Sequence, residues 1–190
     1  MARTFAALGA HILAYTATPR TTPSARADQG YYVPGTGDPD GSIPIAWYSG
    51  TAADKSDLHT FLAQDLDVLV ISLPLTPATT HLLSTPEFDI LARRRAFVVN
   101  ISRGKIIDQP ALIEALNDSK LRGAALDVVD PEPLPKDDPL WDAKNVIITP
   151  HISGLSTKYR ERAFDVLFTN LKRRERGEKM FNLIDRKRGY

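Results

Sequence analysis

Short apolar runs separated by polar, turn-forming segments recur along this chain, and their spacing predicts strands alternating with helices. Residues 96–104 (AFVVNISRG) carry the most informative of these runs. Positions 96–99 and Ile101 are apolar without alternation, and the run then breaks into a polar loop ending at Gly104. A strand covered on both faces reads this way, because a parallel sheet packed between helices leaves neither face to solvent. Similar runs at residues 11–15 (HILAY), 67–73 (DVLVISL), 123–128 (GAALDV) and 145–149 (NVIIT) predict further strands. Helical spacing occupies the intervals. Residues 2–8 read as the tail of a helix closed by Gly9, and residues 56–64 place Leu58, Phe61 and Leu62 on one side with Ser56 as N-cap. A short helix is expected at 86–93. Asp108 as cap and Pro110 in the first turn open a crossover helix with Leu112, Ile113 and Leu116 on one face. A long helix over 156–176 sets Tyr159, Ala163, Val166, Leu167, Asn170 and Leu171 against a charged side.

Two stretches lack this order. Residues 16–57 are rich in Pro, Gly, Thr and Asp, with a weak apolar patch at 43–48, and are expected to be a mostly irregular surface insertion. After residue 128 the prolines at 131, 133, 135 and 139 argue against a helix. Strands alternating with helices predict an α/β fold: a doubly wound parallel sheet, whose ligands bind outside the carboxyl ends of the strands. Three successive strand ends then carry Arg103, Glu132 and His151 to one edge.

Composition changes this picture little. With 43% apolar and 25% charged residues, the 190-residue chain falls in the range of ordinary globular domains. A formal charge of +1, from 24 basic and 23 acidic residues, gives no reason to expect nucleic acid or a membrane surface as partner. The chain has no cysteine, which excludes disulfides and thiolate chemistry and fits a cytoplasmic protein. No apolar run reaches the length of a membrane span. Histidines 11, 59, 81 and 151 lack ligand spacing, so no metal site is expected.

The residue types at the strand ends point to proton transfer on a small acid. Histidine takes up and releases a proton near neutrality, so His151 is the candidate general acid/base. A carboxylate such as Glu132 would hold one ring nitrogen and favour the imidazolium. The planar guanidinium of Arg103 matches a substrate carboxylate through two parallel hydrogen bonds. Each has a second reading: a structural hydrogen bond or a surface position for His151, a solvated side chain for Glu132, and a cap or a pair with Asp108 for Arg103. Asp127, inside an apolar strand, needs a partner; hydrogen bonds to nearby backbone would serve.

Several ordered blocks resemble the D-isomer-specific 2-hydroxyacid dehydrogenase family, including its glyoxylate and hydroxypyruvate reductases. LPLTPATTHLL (73–83) is similar to the family's segment beneath the cofactor, and NISRG (100–104) to its arginine loop. ALDVVDPEPLP (125–135) is similar to the glutamate loop, NVIITPHISG (145–154) to the histidine loop and NLIDRKRGY (182–190) to the closing segment. The resemblance implies a Rossmann-like sheet, incomplete at its N-terminus, over residues 1–155, with a helix and tail over 156–190 that pack toward a substrate domain. It further implies hydride exchange between NAD(P)H and a small 2-keto acid. In that reading His151 exchanges a proton with the substrate oxygen, Glu132 supports it and Arg103 binds the carboxylate. Asp127 and the backbone of Ile101 and Ser102 would hold the nicotinamide carboxamide. Leu73, Pro74 and Thr79 would lie along the cofactor, with Arg103, His151 and Gly154 at its reactive end.

The family's glycine-rich GxGxxG turn comes immediately before a helix like residues 2–8, so a carboxyl-terminal portion of a longer enzyme is expected, homodimeric when intact. At the end of the strand at 11–15, where an NAD enzyme carries an acidic residue, this chain has Thr16, Ala17, Thr18, Pro19 and Arg20. NADP is therefore expected in preference to NAD, through Arg20 with Thr16 or Thr18; the alternative is an exposed loop arginine. A catalytically silent nucleotide-binding interaction protein, as in the family's corepressor branch, and an inactive truncated homologue are the competing readings.

Overall fold

Four short apolar segments, each followed by a helix or a loop, build the sheet on which the candidate site stands. The computed structural model describes residues 1–51 and 53–186. It divides into two compact units, residues 52–154 and residues 1–51 with 155–190. Positions 187–190 of the expected closing segment lie outside the described residues.

In the unit of residues 52–154, β3 (Val68–Ile71), β4 (Phe97–Asn100), β5 (Gly123–Leu126) and β6 (Val146–Ile148) pair in that order, all parallel. Each strand is only three or four residues long. Their register is flush: Ile71 lies opposite Asn100, Asn100 opposite Leu126, and Leu126 opposite Ile148. The four carboxyl ends therefore stop at one level. Helices α3 (Ser56–Leu62), α4 (Thr85–Leu91) and α5 (Gln109–Asn117) cover the sheet. Leu62, Phe88, Leu91, Val98, Leu112 and Leu116 are all almost fully buried. Asp108 caps α5 by accepting from the Ala111 amide at 3.3 Å, with proline in the first turn. Ser56 begins α3 but does not cap it. Asp54 does so instead, accepting from the Ser56 amide at 2.9 Å, since its carboxylate reaches forward to an orphan helix amide. The proline-rich loop contains one 3₁₀ turn, Pro139–Asp142, which accepts proline because its first positions need no amide donor.

Two charged side chains, Glu87 and Asp127, are buried in this unit. Glu87 is fully buried at the first turn of α4, where it accepts from the Ser84 amide at 2.9 Å, from His59 Nε2 at 2.7 Å and from Lys55 Nζ at 3.2 Å. Lys55 also donates to the Leu82 carbonyl at 2.8 Å. The carboxylate thus ties α3 to the end of the 73–83 segment. Burial alone would push the Glu87 carboxyl upward and is the largest single influence, but these donors outweigh it and hold the group below its ordinary value.

The second unit contains α1 (Ala2–Ala7), β1 (Leu13–Thr16), α2 (Pro23–Arg26), β2 (Ala46–Ser49) and α6 (Tyr159–Glu175). Gly9 closes α1 at φ +87°, as expected of a left-handed cap. The expectation of a mostly irregular insertion at 16–57 is corrected here. The weak apolar patch is strand β2, which pairs in parallel with β1 from Leu13↔Ala46 to Thr16↔Ser49. A four-residue strand beside Pro and Gly carries too short an alternation to stand out, and only pairing with β1 gives its backbone partners. In α6 the half-buried positions are Val166, Thr169, Asn170 and Arg173. Asn170 exchanges two hydrogen bonds with the backbone of Phe181, at 3.0 and 2.8 Å, and Arg173 lies 4.3 Å over the Phe181 ring. Within this unit the tail therefore covers that side, and Tyr159, Leu167 and Leu171, expected on the covered face, stand about half exposed. Among the described residues no helix is long and apolar enough to cross a membrane.

Candidate active site

Because β4, β5 and β6 end at one level, the three loops that leave them begin side by side. Arg103 lies three residues beyond β4, Asp127 one residue and Glu132 six residues beyond β5, and His151 three residues beyond β6. Glu132 and His151 meet: Oε1 of the carboxylate lies 2.6 Å from Nδ1 of the imidazole. A carboxylate can only accept here, so Nδ1 carries the proton and Nε2 is the nitrogen left for chemistry. Both side chains are accessible, with relative exposures of 47% for His151 and 37% for Glu132.

The arginine loop is held by a buried amide. Asn100, with no exposed surface, accepts at Oδ1 from the Ser102 amide at 3.1 Å and the Ser102 hydroxyl at 2.9 Å, and donates from Nδ2 to the Arg103 carbonyl at 3.0 Å. Arg103 does not pair with Asp108. It is exposed and donates from Nη1 to the Ser102 carbonyl at 2.7 Å, while Asp108 accepts from Ser84 Oγ and caps α5. Gly104 brings this loop onto the glutamate loop. A Cβ at Gly104 would stand 2.0 Å from the Val129 carbonyl oxygen, so only glycine permits the approach. Glu132 itself lies between two cis peptide bonds, Asp130–Pro131 and Glu132–Pro133.

Asp127 is buried and its partners lie across the sheet, more than twenty residues away. Oδ1 accepts from Thr149 Oγ1 at 2.6 Å and from the Ile152 amide at 2.9 Å, and Oδ2 accepts from the Ser153 amide at 2.8 Å. Burial works against the ionised form and is the largest influence. The donors from Ser153, Thr149 and Ile152 overcome it and hold the carboxyl well below the usual carboxylate range.

The other expected residues fall into two places. Leu73 and Pro74 follow β3 on the same sheet edge, and Ile101 follows β4 with its amide bonded to the Ile71 carbonyl at 3.3 Å. Thr79 Oγ1 donates to the Pro74 carbonyl at 2.8 Å and accepts from the Thr76 amide at 2.8 Å, which closes the 74–79 turn. Gly154 ends the histidine loop with no atom within 4 Å of an added Cβ. Thr16 and Arg20 belong to the other unit. Thr16 is the last residue of β1 and donates from Oγ1 to the Thr18 carbonyl at 2.8 Å. Arg20 is half-buried. Its Nη1 donates to the Ala25 carbonyl, and its Nε is buried without a hydrogen-bond partner among the described residues. Sequence reasoning did not single out Thr149 or the role of Asn100. The available signal was a polar residue at each strand's carboxyl end, where a backbone leaving the ladder needs new partners. Among the described residues no group of three or more His, Cys, Asp or Glu could hold a metal ion.

Residues 48–153 match the family model described as the D-isomer specific 2-hydroxyacid dehydrogenase, NAD binding domain. The chain is 38% identical over 124 residues to a glyoxylate reductase of Korarchaeum cryptofilum, a match covering 65% of this chain and 37% of that protein. Its fold is similar to a D-isomer specific 2-hydroxyacid dehydrogenase of Xanthobacter autotrophicus Py2, solved in complex with NADPH and MES. The TM-score is 0.77 at 31% identity, over 100% of this chain and 66% of that one. It is also similar to an NADPH-dependent glyoxylate/hydroxypyruvate reductase of Sinorhizobium meliloti, solved with NADP and sulfate. There the TM-score is 0.75 at 26% identity, over 100% of this chain and 52% of that one. The chain spans less than half the length of the curated relatives it matches. Parallel strands that end in an arginine loop, a glutamate loop and a histidine loop, together with the match over residues 48–153, place this chain in the D-isomer specific 2-hydroxyacid dehydrogenase family.

Proposed function

We propose that this chain is the nucleotide-binding part of an oxidoreductase that reduces a small 2-keto acid of the glyoxylate or hydroxypyruvate type to its D-2-hydroxy acid. The observation that carries the reading is the 2.6 Å contact between His151 Nδ1 and Glu132 Oε1, at a sheet edge where Arg103 stands on the adjoining loop. Arg103 receives the substrate carboxylate in its guanidinium fork and draws electron density from the adjacent carbonyl. His151 gives its Nε2 proton to the carbonyl oxygen as that oxygen becomes an alcohol. Glu132, bonded to Nδ1, stabilises the imidazolium before transfer and holds the ring in one tautomer afterwards. The accessible ring then takes its next proton from solvent.

NAD(P)H, when bound, supplies the hydride. The residues fit it at two places. Near Thr16, Arg20 retains guanidinium donors beyond the one used on Ala25, and its Nε is buried without a partner. That chemistry suits a 2′-phosphate, and we read the preference as NADP over NAD, with Thr16 assisting. At the sheet edge, the Asp127 carboxylate and the backbone of Ile101 and Ser102 suit a carboxamide. Leu73, Pro74, Thr79 and Gly154 line the approach. Residues 1–155 form the nucleotide-binding part in this reading. Residues 156–190 lead to a substrate domain, for which the exposed Phe164, Leu167, Phe168 and Leu171 of α6 supply an apolar face. The working form is read as a cytoplasmic homodimer.

The test is oxidation of NADPH by the full-length protein that carries this chain, with glyoxylate and hydroxypyruvate as acceptors and NADH run in parallel. Turnover of either acid at a rate well above the acid-free control supports the reading. No turnover with any small 2-keto acid, in a protein that binds NADPH, overturns it.

A further inference from the structure

We infer that Asp127 is a positioning residue for His151, acting through the backbone turn that carries the histidine, with the Thr149 hydroxyl as the other half of the clamp. The inference rests on the proposed role of His151 as the proton donor. His151 has φ +54°, in the left-handed region that a residue with a Cβ enters at a cost of roughly 1 kcal/mol. Something must hold it there, and the hydrogen bonds around it converge on one carboxylate. Thr149, two residues before His151, donates its hydroxyl to Asp127 Oδ1 at 2.6 Å and accepts the His151 amide on its carbonyl at 3.0 Å. Ile152 and Ser153, one and two residues after, donate their amides to Asp127 at 2.9 and 2.8 Å. The turn is gripped on both sides of the histidine.

The grip matters because the histidine and glutamate cannot orient each other unaided. Both side chains are more than a third exposed, and an ion pair in that setting contributes little after solvent screening and side-chain entropy. Asp127 is 5% exposed and stands directly after β5, with its own amide bonded to the Asn100 carbonyl at 2.9 Å. Its carboxylate therefore lies on the rigid sheet and transmits that rigidity to the Cα–Cβ direction of His151, which sets where Nδ1 meets Glu132. A carboxylate at this place thus does more than satisfy its own burial.

The experiment compares the full-length parent with Thr149→Val, which removes the hydroxyl at constant shape, and Thr149→Ser, which keeps it. The ¹⁵N shifts of the His151 ring nitrogens are read by NMR, assigned with His151→Asn, alongside steady-state kinetics. In the parent the shifts should report a proton fixed on Nδ1. In Thr149→Val they should move toward the mixed-tautomer values of an unrestrained histidine. Its kcat should fall about tenfold, with KM for the keto acid within roughly twofold, since the loss falls on proton transfer and not on carboxylate binding. Thr149→Ser should restore both. Asp127→Asn should shift the ring signals further still. Unchanged ring shifts in Thr149→Val, or changed shifts that Thr149→Ser does not reverse, would overturn the inference. If the shifts behave as expected but no keto acid is turned over, the proposed reaction fails and the positioning by Asp127 stands.

Discussion

Gly104→Ala is the sharpest probe of how the arginine and glutamate loops are held together. An ideal Cβ there would lie 2.0 Å from the Val129 carbonyl oxygen, 2.1 Å from its carbon and 2.8 Å from the Asp130 nitrogen. All three are backbone atoms, so no side chain can swing aside. The φ of Gly104 lies outside the left-handed region, so the effect isolates space from backbone strain. Real Cβ atoms keep at least 3.0 Å from their neighbours, so the two loops must part by about 1 Å. Overpacking of this kind costs about 2–3 kcal/mol, which lowers the melting temperature of a chain this size by roughly 5–10 °C. A displacement of about 1 Å between Arg103 and the Glu132–His151 pair should also lower turnover roughly 100-fold. The assay is thermal unfolding by circular dichroism together with keto-acid reduction. Gly154→Ala serves as the stability comparison, because its added Cβ meets nothing within 4 Å. Melting of Gly104→Ala within 1 °C of the parent would refute the reasoning, since it would mean that the loops do not approach as closely as the geometry requires.

Glu87→Gln should cost about 2–3 kcal/mol, less than for a fully enclosed ion pair because Lys55 and His59 are each about a third exposed. The folded-state carboxyl of Glu87 is held below its ordinary value, so the stability it contributes is complete above that value and disappears as pH falls through the folded one. Denaturant titrations should therefore show the gap between the parent and the Gln variant narrowing as pH falls below the ordinary carboxylate range, and a gap that stays constant on acidification until the protein unfolds would contradict this. His151→Asn should lower kcat by roughly 10²–10⁴-fold while shifting stability by no more than about 0.5 kcal/mol, because the ring is half exposed. A large melting shift would instead make the histidine structural. Arg20→Ala should raise the KM for NADPH about tenfold and leave that for NADH nearly unchanged, as expected when one charge-assisted contact to a phosphate is removed. Equal changes for both nucleotides would remove Arg20 from the 2′-phosphate assignment.

The strands β3 to β6 and the helices between them were legible in the sequence because burial on both faces leaves continuous apolar runs, and because Asp108 with Pro110 and Gly9 are chemically specific helix signals. Once the strands are parallel, the arrival of Arg103, Glu132 and His151 at one edge follows from topology alone. Strand β2 was not legible, since four residues carry too little periodicity and its identity depends on pairing with β1. The apolar side of α6 was readable as a pattern, but the sequence does not say which side a neighbour covers; Asn170 and Arg173 receive the tail at Phe181 instead. Asp127 was readable as a buried carboxylate in need of partners, yet its donors at Thr149, Ile152 and Ser153 lie across the sheet, where no local rule reaches. The same holds for the closeness of Gly104 to Val129 and for the three donors on Glu87. The sequence by itself determined which chemical groups stand at the strand ends, because composition and periodicity are properties of the chain. Only the tertiary structure decided how those groups are held, because hydrogen bonds and close approaches between residues distant in sequence come into being when the strands align in register.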